Sequence, residues 1–150
     1  MAARLRPEIF LSHAHQDRAF ADRLVAVLRR HGLRVWYSRT HLVGAKRWHD
    51  EIGRALDRCD WCLVILSPEA VKSDWVSREV VYALNAERYR DRIVPLLYKR
   101  CRVRRLSWVL PEYQHVDFTT DEERGFAELL RVWNVRYSRA RVRSTTRSRR

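Results

Sequence analysis

Trp61-Cys62-Leu63-Val64-Ile65-Leu66 is six apolar residues without a polar interruption, closed by Ser67-Pro68. An unbroken apolar run of strand length marks a strand covered on both faces. Such a strand lies inside a sheet with helices on either side. Working outward, the flanking segments repeat the theme. Upstream, Ile9-Phe10-Leu11 and Leu33-Arg34-Val35-Trp36-Tyr37 read as strands; downstream, Ile93-Val94-Pro95-Leu96-Leu97-Tyr98 is a fourth and Tyr113–Phe118 a shorter edge strand. Pro95 lacks a ladder donor, which weakens the fourth strand or places it near an edge.

Between these strands the apolar period changes to that of a helix. Phe20, Leu24, Val27 and Leu28 form one stripe, ended by His31-Gly32; Trp48, Ile52, Ala55, Leu56 and Cys59 form a second. Phe126, Leu129, Leu130 and Trp133 form another, behind the acidic start Asp121-Glu122-Glu123. Strands alternating with helices predict an α/β fold of βαβ units. The expected architecture is a flavodoxin-like three-layer sandwich, a five-stranded parallel sheet flanked by helices. Ligands in such sheets sit beyond the carboxyl ends of the strands, here Ser12–Asp17, Ser38–Arg47 and Ser67–Asp74.

The helix after Ser67-Pro68 opens at Ser73 or Asp74, both good caps. Val76, Val80, Ala83 and Leu84 share its apolar arc, and Trp75, Glu79 and Tyr82 stack on the flank. A carboxylate beside two aromatic rings suits a flat, charged ligand; on the helix alone a packing Trp75 and a solvated Glu79 are the plainer reading, and the place of Glu79 near the carboxyl edge brings the functional reading level with it. Neither GxGxxG nor GxxxxGK[ST] occurs, so an ordinary dinucleotide fold and a P-loop are not indicated.

Composition narrows the class further. The chain has 150 residues, enough for one domain; 46% are hydrophobic and 33% charged. No apolar run approaches the ~20 residues of a membrane span, and the first residues lack a leader's apolar stretch. Cys59, Cys62 and Cys101 are odd in number, and the lone CxxC has no second pair to complete a zinc site. Packing cysteines in a reducing cytoplasm are expected. The net charge is +13, but residues 136–150 hold seven arginines and no acid, leaving +6 on the rest. A second basic run, Lys99–Arg105, has no nucleic-acid motif beside it, so nucleic acid is not the expected partner. The expected division is a lead at 1–7, one domain over 8–135, and an Arg-rich disordered tail or linker at 136–150.

These segments together resemble Toll/interleukin-1 receptor (TIR) domains of the bacterial type. Ile9-Phe10-Leu11-Ser12-His13 is similar to that family's opening strand motif and His31–Tyr37 to its second strand. Leu42-Val43-Gly44 with Trp48 is similar to its BB loop. Val64–Pro68 followed by Ser73-Asp74-Trp75 and Glu79 is similar to its third strand and next helix, and Ile93–Leu96 to its fourth strand. Ser38, where the family commonly has aspartate, and Ala45, which lengthens the gap to Trp48, depart from the pattern. The likeness implies one of two functions. Many members cleave NAD+ between nicotinamide and ribose, using a glutamate at the place of Glu79, four residues after the Trp75 position; others are scaffolds that signal by self-association.

What the resemblance implies here is an NAD+ glycohydrolase or cyclase of cell defence, with Glu79 catalytic. The substrate contacts are then Ser12, His13, Trp36, Tyr37, Lys46 and Trp75. Ser12 and His13 read equally as turn residues, and one of Trp36 and Tyr37 lines the pocket while the other packs. Lys46 and Arg47 reach a pyrophosphate or stay solvated, and Trp48 packs or stacks on a base. NAD+ is the substrate, with no separate cofactor and no metal, since His13 and His15 have no third ligand. The expected partners are other TIR domains and a fused or separate sensor, with no membrane contact.

Overall fold

The computed structural model of the chain describes residues 6–37 and 45–143, without the side chains of 45–48. Five strands, β1 (Glu8–Ser12), β2 (Arg34–Tyr37), β3 (Trp61–Leu66), β4 (Ile93–Leu97) and β5 (Val116–Asp117), form one sheet in the order β2-β1-β3-β4-β5. Every pairing is parallel. The helices are α1 (Arg18–Arg30), α2 (Ala45–Arg58), α3 (Asp74–Asn85), a short α4 (Val103–Leu106), α5 (Glu122–Leu130) and α6 (Arg139–Arg143).

The pleat divides the core. Ile9, Leu11, Leu63 and Ile65 face α1 and α5 with Phe20, Leu24, Leu28 and Leu129. Phe10, Cys62, Val64 and Leu66 face the other way, against Val76, Val80 and Ala83 of α3 and Ile52 of α2. Alternate residues of one apolar run thus serve two cores, which is why β3 needs no polar positions. From β1 the chain steps outward to β2, then crosses back to β3. The reversal between β1 and β3 is a topological switch point, where the carboxyl ends open a crevice.

Local chemistry fixes the helix ends. The α1 helix closes in a Schellman motif: Leu33 N–H donates to the Leu28 carbonyl at 3.0 Å and Gly32 N–H to that of Arg29 at 3.0 Å. Gly32 takes φ +81°, which a side chain would resist. At α3, the Ser73 hydroxyl accepts the Val76 N–H at 3.2 Å.

One expectation is refined and two change. Pro95 lies one strand in from the edge, opposite Val64. Cys62 N–H donates to the Arg92 carbonyl and Tyr98 N–H to that of Leu66, so even-numbered residues of β4 face β3. Pro95 therefore turns its missing donor toward β5, whose pairing starts one step later, at Leu96 with Val116. Upstream, the Tyr113 N–H closes a 3-10 turn onto the Leu110 carbonyl at 3.0 Å, so β5 does not extend back to it and only Val116–Asp117 form the strand.

Third, the packing does not stop at residue 135. Ser138 N–H donates to Nε2 of the buried His31 at 2.9 Å, and the Tyr137 ring stacks on His31 at 5.5 Å. Tyr137 and Val142 pack on the α1/α5 core, and the Val142 carbonyl accepts from Arg30. Arg139 grips Glu123 through both carboxylate oxygens at 2.6 and 2.7 Å. These contacts hold 136–143 on the domain; residues 144–150 lie outside the described residues.

Candidate active site

Ser12 ends β1, and the pleat turns its hydroxyl to the α3 side. Glu79 sits in the second turn of α3, three residues after Val76 and one before Val80, so it turns inward with them instead of standing on the flank. The two meet: Ser12 Oγ donates to Glu79 Oε1 at 3.3 Å. Both are buried, Ser12 at 1% and Glu79 at 6% exposure. Burial pushes the Glu79 carboxyl up to about 8, and the Ser12 hydrogen bond only partly offsets it. The solvated-charge reading of Glu79 is therefore overturned. Tyr82, expected beside it, is 43% exposed and donates its hydroxyl to Asp57 of α2.

The other expected residues divide between the faces of the sheet. Trp36 stacks on Phe10 at 5.2 Å, on the α2/α3 side. Tyr37, its neighbour, faces α1 and donates its hydroxyl to Asp22 at 2.7 Å. The buried His13 ring lies 5.8 Å from the Tyr37 ring. The structure thus joins Ser12 to Glu79 and His13 to Tyr37, as two groups on opposite sides of β1. Trp75 is half-buried, its ring 5.1 Å from His49 of α2. The Lys46, Arg47 and Trp48 side chains and the loop at 38–44 lie outside the described residues.

Two residues not singled out in the sequence belong to the same edge. Asp17, 4% exposed, accepts a hydrogen bond from the hydroxyl of Ser67, which is fully buried. Burial raises the Asp17 carboxyl, while the Ser67 hydrogen bond and Lys99 draw it back. Their signal was position alone, since each stands in a turn that leaves the carboxyl end of a strand.

Beside this pair a depression of about 230 Å³ is lined by His15, Gln16, Glu69, Lys72, Ser73 and Trp75. A larger groove of about 860 Å³, which includes Trp61, Ile93, Glu112 and Glu128, lies at the opposite, amino end of the strands. It is remote from the Glu79 carboxylate. Among the described residues no three His, Cys, Asp or Glu side chains converge to hold a metal. Cys59 and Cys62 are buried free thiols, and burial pushes the Cys59 thiol up to about 12, far from a nucleophile's range.

A doubly wound parallel α/β domain with a buried carboxylate at its switch point is the class that fold and site define. The chain belongs to the TIR domain family, whose model matches residues 9–130. It is similar to the 2' cyclic ADP-D-ribose synthase BtTIR of Bacteroides thetaiotaomicron, 32% identical over 74 residues, 49% of this chain and 26% of that protein. It is also 31% identical over 81 residues to the NAD(+) hydrolase TcpA of a Theionarchaea archaeon, covering 53% of this chain and 25% of that protein. The matches thus span about a quarter of the length of these curated relatives. In fold it is similar to the TIR domain of the Toll-related receptor TRR-2 from Hydra magnipapillata. That likeness has a TM-score of 0.68 at 20% identity and covers 83% of this chain and 95% of that one.

Proposed function

We propose that this chain cleaves the nicotinamide–ribose bond of NAD+, with Glu79 as the catalytic carboxylate. The observation that carries the reading is the burial of Glu79 against Ser12 at the switch point, where a carboxylate is costly and serves no ion pair among the described residues. The names of the two curated relatives, an NAD(+) hydrolase and a cyclic ADP-D-ribose synthase, support it.

One carboxylate suffices for this chemistry. The nicotinamide of NAD+ is already cationic and leaves without protonation by a general acid. The ribose passes through an oxocarbenium-like transition state, as in glycoside hydrolysis. An ionised Glu79 facing that positive charge, and accepting hydrogen bonds from ribose hydroxyls, supplies preorganised electrostatic stabilisation. Ser12 holds the carboxylate rotamer through its hydroxyl. Trp75, at the wall of the depression, offers a flat face to a base. Attack by water gives ADP-ribose; attack by another atom of the same NAD+ molecule gives a cyclic ADP-ribose.

The test is incubation of the purified chain with NAD+ beside Glu79→Gln, with products separated by chromatography. Wild type releases nicotinamide, and the variant loses roughly a hundredfold or more. Equal release by both would remove Glu79 from the mechanism.

The size of the depression favours a second reading that can stand with the first. At about 230 Å³ it is smaller than the ~300–1,000 Å³ of pockets that enclose small molecules. Val81 and Tyr82 leave an exposed apolar face on α3 nearby. Self-association through that helix would complete the site, or serve signalling alone. Activity per chain that rises with protein concentration supports completion by a second copy. Assembly without turnover leaves the scaffold, and any defence role then rests on assembly.

A further inference from the structure

We propose that Asp17 is a positioning residue of this site. Through Ser67 it clamps the turn after β1 to the turn after β3, and so sets the gap that receives substrate. Only the activity arm of the inference rests on the NAD+-cleaving reading of Glu79.

Asp17 stands at the N-cap of α1, where an aspartate ordinarily turns its oxygen onto its own helix. It makes no such capping bond. Its carboxylate instead accepts from the hydroxyl of Ser67, 50 residues along the chain. Ser67 is engaged on both sides: its Oγ accepts the Ala70 N–H at 3.0 Å and its carbonyl the Val71 N–H at 3.2 Å. On the other turn, Asp17 N–H donates to the Ala14 carbonyl at 3.0 Å. The link therefore joins two turns that are each internally braced.

The walls of the 230 Å³ depression stand on those same two turns. His15 and Gln16 form one side; Glu69, Lys72, Ser73 and Trp75 form the other. Lys99 and Cys101, on the segment after β4, are within electrostatic reach of the same carboxylate. A buried carboxylate that leaves its own helix uncapped to tie these loops together acts on the gap between them. Separating the walls displaces the turn after β1 from Trp75 and Glu79, which ride together on α3, and displacements of about 1 Å are costly to a bound near-attack geometry.

The test compares Asp17→Ala, Ser67→Ala, their double variant and Asp17→Asn, whose amide oxygen still accepts from Ser67. With thermal midpoints matched, Asp17→Ala and Ser67→Ala each lower kcat/KM for nicotinamide release roughly ten- to a hundredfold, mainly through KM. The double variant is no worse than Ser67→Ala, which also loses the Ala70 N–H bond, because the shared link is already gone. Asp17→Asn stays near wild type. The indole N–H resonance of Trp75, assigned by its disappearance in Trp75→Phe, reports the same wall without turnover. It shifts in both alanine variants and returns in Asp17→Asn.

Losses that add in the double variant overturn the clamp, as does an unmoved Trp75 resonance in Asp17→Ala. Should wild type release no nicotinamide, the functional reading fails and the resonance alone decides the clamp. Should Asp17→Ala not fold, Ser67→Ala and Asp17→Asn carry the same comparison.

Discussion

Glu79 carries its proton to a higher pH than a solvated glutamate, because its carboxyl is raised from 4.5 to about 8 by burial. The folded chain thus holds a proton that the unfolded chain releases between those values. Stability is greatest below pH 4.5 as far as this group is concerned, and declines as pH rises through 8. The full decline is on the order of a few kcal/mol. Glu79→Gln, neutral at every pH, removes that slope: urea unfolding should find it more stable than wild type at alkaline pH, with the gap narrowing in acid. A constant gap across the range would mean that Glu79 is not desolvated. Activity runs the opposite way, since the ionised form faces the oxocarbenium charge. The acid limb of kcat/KM, read by nicotinamide release, should fall near pH 8. The limb of kcat should lie lower, because bound cationic nicotinamide favours the carboxylate. A limb of kcat/KM at the ordinary glutamate value would separate catalysis from this buried group. Ser12 and Glu79 were marked by the family resemblance and by lying near the carboxyl edge, not by register, which put Glu79 on the flank of α3 where the structure turns it inward. Asp17 and Ser67 were not, since nothing in either turn announces a bond across 50 residues. Nor did the order of Trp36 and Tyr37 say which core each would face.

At the scale of elements, α3 and β3 were written in local pattern, with Trp61–Leu66 as the strand and a cap at Ser73 or Asp74, which the structure resolves to Ser73. β5 was not. Its alternation from Tyr113 to Phe118 suits a strand, but a strand needs a partner, and the phase of β4 turns Pro95 toward it. Pairing is a property of two segments, so one segment's pattern overstates its length. The α5 helix shows the same dependence on a neighbour. A Cβ at Gly125 would come within 2.4 Å of the Phe118 ring. That ring packs edge-on against Phe20 and Phe126, at 5.2 and 5.5 Å, and has little room to yield. Gly125→Ala should therefore lose stability, although alanine is the better helix former. The expected loss is about 1–3 kcal/mol, typical of overpacking a core. Thermal unfolding checks it, and a gain from helix propensity would show that Phe118 moves freely. The smaller Phe118→Leu should relieve the loss in the double variant, since the two share one contact.

Across the whole molecule, the layers and the carboxyl edge that carries the site followed from the alternation of apolar periods, because parallel βαβ units admit few arrangements. The limit of the domain did not. Charge set residues 136–150 apart as a tail, yet the described part of it is held by a histidine buried in α1 and by packing of Tyr137 and Val142. The arginines there are exposed while Tyr137 and Val142 between them pack inward, so a charge count says little about docking. This gives the segment a structural role with a measurable size. A chain ending after residue 135 would leave His31 without the Ser138 N–H and uncover the core beneath Tyr137. It should unfold at a lower temperature, by roughly 5 °C for a loss of about 1–2 kcal/mol. A chain ending after 143 keeps these contacts and is the reference for the comparison. Raised salt separates packing from charge: it screens the exposed Arg139–Glu123 pair but leaves the His31–Tyr137 stack in place. The difference between the two truncations should therefore persist at high salt, and its disappearance there would assign the docking to arginine charge alone.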